Sequence, residues 1–316
     1  MKIVAIGGGT GQSTMLRGLK HCTEELTAIV SVSDDGGGSG LLRHDLGMLP
    51  PGDIRACVMA LANTEPMMAK LLQYRFNGGQ NTLTGQCFGN LFLAALNGIC
   101  DNFNDAVSLM CEVLAITGRV LPVTNADVHL MAKFANGQAV LGESKILAAK
   151  KAANCKIVAV DLVPSRPKAL PQVIDAIMDA DMIVLGPGSL YTSIIPNLLV
   201  DGVADAISRS KAKTVFVLNL MTQEGETEDY SAYDHLQALY DHSCEGLVDV
   251  CLANNGILSS TLTAQYSAEN AMLLQLDRDK FNGVTLIETD LLADHDEMVR
   301  HDPGKLAAAI MAIAAD

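Results

Sequence analysis

Five apolar, β-branched runs punctuate the chain: KIVAI (2–6), LTAIVSVS (26–33), KIVAVDLV (156–163), DMIVLG (181–186) and KTVFVLNL (213–220). Runs so uniformly apolar suit strands buried on both faces of a parallel sheet, because a strand with one wet face alternates polar and apolar residues. Between them, helical periodicity predicts helices over 53–74, 86–100, 104–116, 196–210 and 231–241, and a tail helix that starts near Pro303. The expected fold class is α/β, a mostly parallel sheet with helices on its faces. One segment breaks the pattern. Between about 120 and 143 the period changes, and Asn136-Gly137 stands where a hairpin turn needs positive φ. A small β-hairpin inserted into a single domain spanning 1–316 is expected, with no repeat or long linker to divide it.

Ligands of an open parallel sheet bind outside the carboxyl ends of its strands, so the residues that follow each run are the first candidates for a site. After the first run comes AIGGGTGQST (5–14), in which Gly8, Gly9, Thr10 and Gly11 sit where a strand hands over to a helix. Glycines there let the backbone approach a ligand, and the first free N–H groups of the helix attract an anion. Neither standard phosphate pattern is met. A P-loop has lysine where Gln12 stands, and the dinucleotide pattern counted from Gly7 has glycine at that same position. After the second run come Asp34, Asp35 and Gly36, a pair of carboxylates placed to meet a ribose hydroxyl or to hold Mg2+, or simply a good turn. Gly188 and Ser189 follow DMIVLG, and the polar stretch MTQEGET (221–227) follows KTVFVLNL. Asp53, after Leu49-Pro50-Pro51-Gly52, reads as the N-cap of a helix.

A net charge of −14, from 22 Lys and Arg against 36 Asp and Glu, argues against nucleic acid or an anionic membrane as partner. An anionic small ligand would then be held by backbone N–H groups and a few local arginines. Arg300 is one candidate, within the acidic run ETDLLADHDEMVRHD (288–302), where an internal ion pair is the alternative. No apolar stretch is long enough for a membrane span and no secretory signal is seen, so a cytoplasmic location is expected. Eight cysteines without a C-x-x-C pair fit reduced thiols. His235 and His242 read as packed or solvated residues of one helix face, and Met67, Met68 and Met298 as core filler. No nucleophile stands out.

The segments GGGTG, LRGLK, TAIVSVSDDGG, PPGDIR, GNLFLAAL, GESKI, GPGSLYTSIIPNLLV, MTQEGET, DHLQALYDH and VRH follow one another along nearly the whole chain. In that order they resemble the gluconeogenesis-factor (YvcK-like) family, a branch of the 2-phospho-L-lactate transferase (CofD-like) superfamily. The resemblance implies a Rossmann-like cytoplasmic protein that binds a nucleotide ligand, a UDP-sugar in particular, with an NAD-like dinucleotide as the other nucleotide class. It implies a role in cell-wall synthesis and cell shape during gluconeogenic growth, with a homodimer and cell-wall synthesis proteins as partners. By the same resemblance the pair Arg300-His301 lies near the nucleotide, and Asp35 and Asp53 are the candidates for a Mg2+ site of the transferase kind. Leu41 stands where the family pattern has arginine, which would pass a phosphate contact to Arg17, Arg43 or Arg55. Two rivals accompany the binding reading: a Mg2+-dependent phosphoryl or phospholactate-type transferase, and an NAD-dependent oxidoreductase.

Overall fold

In the computed structural model every residue is described except 78–82, 269, 295–297 and 316. Seven strands build one parallel sheet: β1 (Ile3–Gly7), β2 (Leu26–Val30), β3 (Arg119–Pro122), β7 (Met182–Leu185), β8 (Lys213–Val217), β9 (Val250–Asn254) and β10 (Thr285–Thr289), in the order β10-β9-β8-β7-β1-β2-β3. β1, β2 and β7 are buried throughout, as their unbroken apolar runs require. From β1 the chain winds outward to β3, then returns to β7 and winds the other way to β10. Crossovers of one hand therefore place the two sets of helices on opposite faces. Helices Gly9–Leu19, Gly52–Leu61 and Pro303–Ala315 pack together, and Pro171–Met178 packs on Val203–Arg209. The reversal of winding falls between β1 and β7, and outside it a crevice opens.

The remaining strands, β4 (His129–Phe134), β5 (Ala139–Leu141) and β6 (Ile157–Val163), form an antiparallel sheet in the order β5-β4-β6. The hairpin turns at Asn136-Gly137, with Gly137 at φ 85°. Its strands begin at His129, since residues 119–122 belong to the large sheet as β3. KIVAVDLV corrects the sequence expectation. It pairs with the hairpin instead of joining the parallel sheet, and it leaves Val158 54% exposed. Its apolar run reports β-propensity, whereas the choice of partner is made by distant residues.

Other differences have local causes. The stretch 53–74 is two helices, Gly52–Leu61 and Pro66–Gln73, because Pro66 opens the second. Likewise Gly202, at φ 91°, separates Ile195–Leu198 from Val203–Arg209. Asp53 lies in the first turn of its helix and is not the N-cap, a position held by Pro51. Met67 (73% exposed), Met68 and Met298 lie on the surface, not in the core. His235 is buried, and His242 Nε2 accepts from the Val160 N–H at 3.0 Å, which ties the small sheet to the helix Ala232–Asp241. All eight cysteines are free thiols.

Candidate functional site

Close backbone approach explains the glycines after β1. A methyl group on Gly11 would fall 2.5 Å from the Pro187 carbonyl oxygen, and one on Gly8 would fall 2.6 Å from Asp53 Oδ2. The loop after β7 thus presses directly on the loop after β1. Gln12, which replaces the lysine of a P-loop, turns inward. Fully buried, its Nε2 donates to the carbonyls of Ala5 at 2.9 Å and Ile29 at 3.1 Å. It braces β1 and β2 from below and does not reach for a ligand.

The Asp53 carboxylate faces Gly8 and Gly9 at the start of the first helix. Burial, together with the charge of Asp34, pushes its pKa up to about 6. The amides of Thr10 and Gly11 have no protein acceptor among the described residues. On the facing loop, Gly188 N–H donates to Asn219 Oδ1 and the Ser189 hydroxyl to Gln223 Oε1, at 3.2 and 2.8 Å. Gln223 Nε2 donates in turn to Glu226 Oε1 at 3.1 Å. Glu226 also accepts from Tyr191 N–H and the Thr192 hydroxyl, and burial pushes its pKa up to about 7. Asn219, Gln223 and Glu226 therefore stitch the loop after β8 to the loop after β7.

Between these loops lies a cavity of about 330 Å3, lined among others by Thr10, Gly11, Gly188, Ser189, Tyr266 and Arg300. Of the four turns expected to line one edge, those after β1, β7 and β8 line this cavity and the one after β2 does not, while Arg300 joins them from far along the chain. Arg300 is exposed, and no carboxylate among the described residues pairs with it; residues 295–297 of its acidic run lie outside the described residues. None of the arginines expected to replace a contact at position 41 lines this cavity. Arg43 is buried against Asp127 and the Val128 carbonyl, Arg55 Nε donates to Asn90 Oδ1 at 2.8 Å, and Arg17 sits in the last turn of its helix. A second cleft of about 640 Å3, with Asn255, Ile257 and Leu262 in its wall, continues past Val299 and Arg300.

Asp34, Asp35 and Gly36 do not line the cavity. Asp34 Oδ1 accepts from the Gly36 N–H at 2.8 Å in a local turn, and Asp35 Oδ1 accepts from the Ser144 N–H at 2.8 Å, anchoring the small sheet. Glu143, beside them, is driven up to about 9 by burial and by the charges of Asp34, Asp53, Glu226 and Asp35. Among the described residues no three His, Cys, Asp or Glu side chains gather as a metal centre.

Sequence reasoning missed Tyr266 and Asn219, whereas His301 stands with Arg300 in the Arg-His pair that the resemblance set near the nucleotide. The Tyr266 hydroxyl accepts from the Val299 N–H at 3.0 Å and so sets the path of the segment that carries Arg300. His301 lines the cavity and is buried, which pushes its pKa down to about 4 and keeps the ring neutral. Asn219 could have been flagged as a polar residue just past a strand; nothing in the helix Ser260–Ala268 marks Tyr266.

A doubly wound parallel sheet with glycine loops at its switch point falls in the Rossmann-like α/β class. The profile of the 2-phospho-L-lactate transferase CofD family matches residues 3–292. A putative gluconeogenesis factor from Thermoanaerobacterium thermosulfurigenes is 52% identical over 314 residues, covering 99% of this chain and 96% of that protein. The gluconeogenesis factor of Bacillus subtilis is 43% identical over 312 residues, covering 98% and 97%. A crystal structure of a UPF0052 family protein from Bacillus halodurans superposes with a TM-score of 0.93 at 43% identity, over 98% of each chain. The chain belongs to the CofD family, among its gluconeogenesis factors. No helix of the described residues is long and apolar enough to cross a membrane.

Proposed function

We propose that this protein is a cytoplasmic regulatory protein that binds a nucleotide sugar, a UDP-sugar, and through it supports cell-wall synthesis and cell shape during gluconeogenic growth. The observation that carries the binding part is the convergence of the amides of Thr10 and Gly11, which have no acceptor among the described residues, with the guanidinium of Arg300, whose only partner among them is the Met298 sulfur at 3.9 Å, around one cavity. In a chain of net charge −14, such a spot is a local exception suited to a diphosphate. Arg300 borders both clefts, so a two-part ligand can lay its diphosphate beside Arg300 with its base and its sugar on either side.

A thermal-shift panel of UDP-sugars tests the proposal. A ligand at 100 times its Kd should stabilise the folded state by about 2.7 kcal/mol. No shift with any UDP-sugar at millimolar concentration would refute it. The preferred reading is binding without turnover, with the Mg2+-dependent transferase as its rival. Product formation that depends on Mg2+ would reverse that preference.

A further inference from the structure

Asn219, just beyond β8, closes two hydrogen bonds on a single residue of the neighbouring loop. Its Oδ1 accepts from the Gly188 N–H at 3.2 Å, and its Nδ2 donates to the Gly188 carbonyl at 2.9 Å. That carbonyl and the Ser189 N–H belong to one peptide, which is not among the cis bonds of the chain. In a trans peptide the C=O and N–H point in opposite directions. Holding the carbonyl against Asn219 therefore turns the Ser189 N–H away from Asn219.

Among the described residues the Ser189 N–H finds no acceptor. The Ser189 N–H is therefore free to donate to an acceptor from outside the chain. Gly188, Ser189 and Asn219 line the same cavity as Thr10, Gly11 and Arg300. The Ser189 hydroxyl is already used by Gln223, which leaves the backbone as the part of Ser189 available to a ligand. β7 and β8 are paired in register just below, so the clamp joins two ends of a rigid support.

We propose that Asn219 is a positioning residue for anion binding: by clamping Gly188 it aims the Ser189 N–H at a phosphate oxygen of the nucleotide-sugar diphosphate, an inference that rests on the nucleotide-sugar reading. Asn219 acts through the peptide it holds and itself contacts no phosphate.

The test uses the full chain, 15N-labelled, titrated with UDP-glucose, with Kd from calorimetry for the wild type, Asn219→Ala and Asn219→Asp. In the wild type the amide signals of Ser189, Thr10 and Gly11 should all respond to ligand. In Asn219→Ala the Kd should rise roughly tenfold, the scale of one hydrogen bond to a charged group. The Ser189 response should disappear while Thr10 and Gly11 still respond at saturation. Asn219→Asp can accept from the Gly188 N–H but cannot donate to its carbonyl, and it adds a negative charge near the diphosphate; it should bind at least as weakly, and it carries the test if the alanine variant fails to fold. A merely structural role would disturb all three amides together. Wild-type Kd and wild-type Ser189 response in the variants would overturn this inference and leave the nucleotide-sugar reading standing. Absence of UDP-sugar binding by the wild type would overturn both.

Discussion

Glu143→Gln should make this protein more stable, and by an amount that grows with pH. Glu143 stands where Asp34, Asp35, Asp53 and Glu226 all bear on it, and the only hydrogen-bond donor given to its carboxyl among the described residues is the Ser33 hydroxyl at 3.4 Å. Burial and these like charges raise its pKa from 4.5 to about 9. Between those values the folded chain holds a proton that the unfolded chain has released. Stability is therefore fully present below pH 4.5 and is lost as pH rises toward 9. At about 1.36 kcal/mol per pH unit, the 2.5 units between 4.5 and neutrality cost about 3 kcal/mol at pH 7. Glutamine keeps an acceptor for Ser33 and carries no charge, so the variant avoids this loss. With a melting entropy of about 2.1 cal/mol/K per residue, 316 residues give about 0.66 kcal/mol/K, and 3 kcal/mol becomes about 5 °C. Calorimetric melting of both proteins from pH 4 to 9, after chelator treatment so that no cation offsets the acids, measures the gap. It should be near zero at pH 4 and widen steadily. A gap that stays constant across the range, or a variant less stable than the wild type at pH 8, would show that the acids around Glu143 do not bear on it as argued.

Three further outcomes are expected. Gly11→Ala should force the loops after β1 and β7 apart, because its methyl meets the Pro187 carbonyl oxygen at 2.5 Å; a loss of about 1–3 kcal/mol in denaturant unfolding and of ligand binding is expected, while unaltered values would deny the close approach its role. Arg300→Ala should change stability by less than about 1 kcal/mol, since no described carboxylate pairs with it, yet raise the UDP-sugar Kd roughly ten- to a hundredfold by calorimetry. Arg300→Lys should recover part of that affinity, because lysine keeps the charge without the planar fork, and unchanged Kd in both variants removes Arg300 from the site. Asp35→Ala should lower the melting temperature by loosening the turn at Ser144 and leave ligand affinity within about twofold, as one lost structural hydrogen bond of about 1 kcal/mol implies; a selective loss of affinity would return Asp35 to the ligand.

The sequence by itself determined those features whose cause is local. β1, β2, β7 and β8 were legible because a strand covered on both faces has to be apolar along its whole length. The glycine at 11 was legible as a close approach because a methyl group there would meet the Pro187 backbone. The hairpin turn was legible because Asn136-Gly137 suits positive φ. β10, an edge strand with no fully buried residue, was not, and neither were β3 at the other edge nor β9, although β9 is as long as β1 and β2. Tertiary structure alone decided that KIVAVDLV joins the hairpin, since pairing depends on which distant strand offers its edge and local propensity does not name a partner. It alone turned Gln12 downward to the strand carbonyls and Asp35 outward to Ser144. It brought Asn219, Tyr266 and Arg300 to one cavity from segments up to 81 residues apart. A backbone's need for glycine or an apolar run is written at the residue itself, whereas a side chain's purpose is set by whatever the fold places within about 3 Å of it.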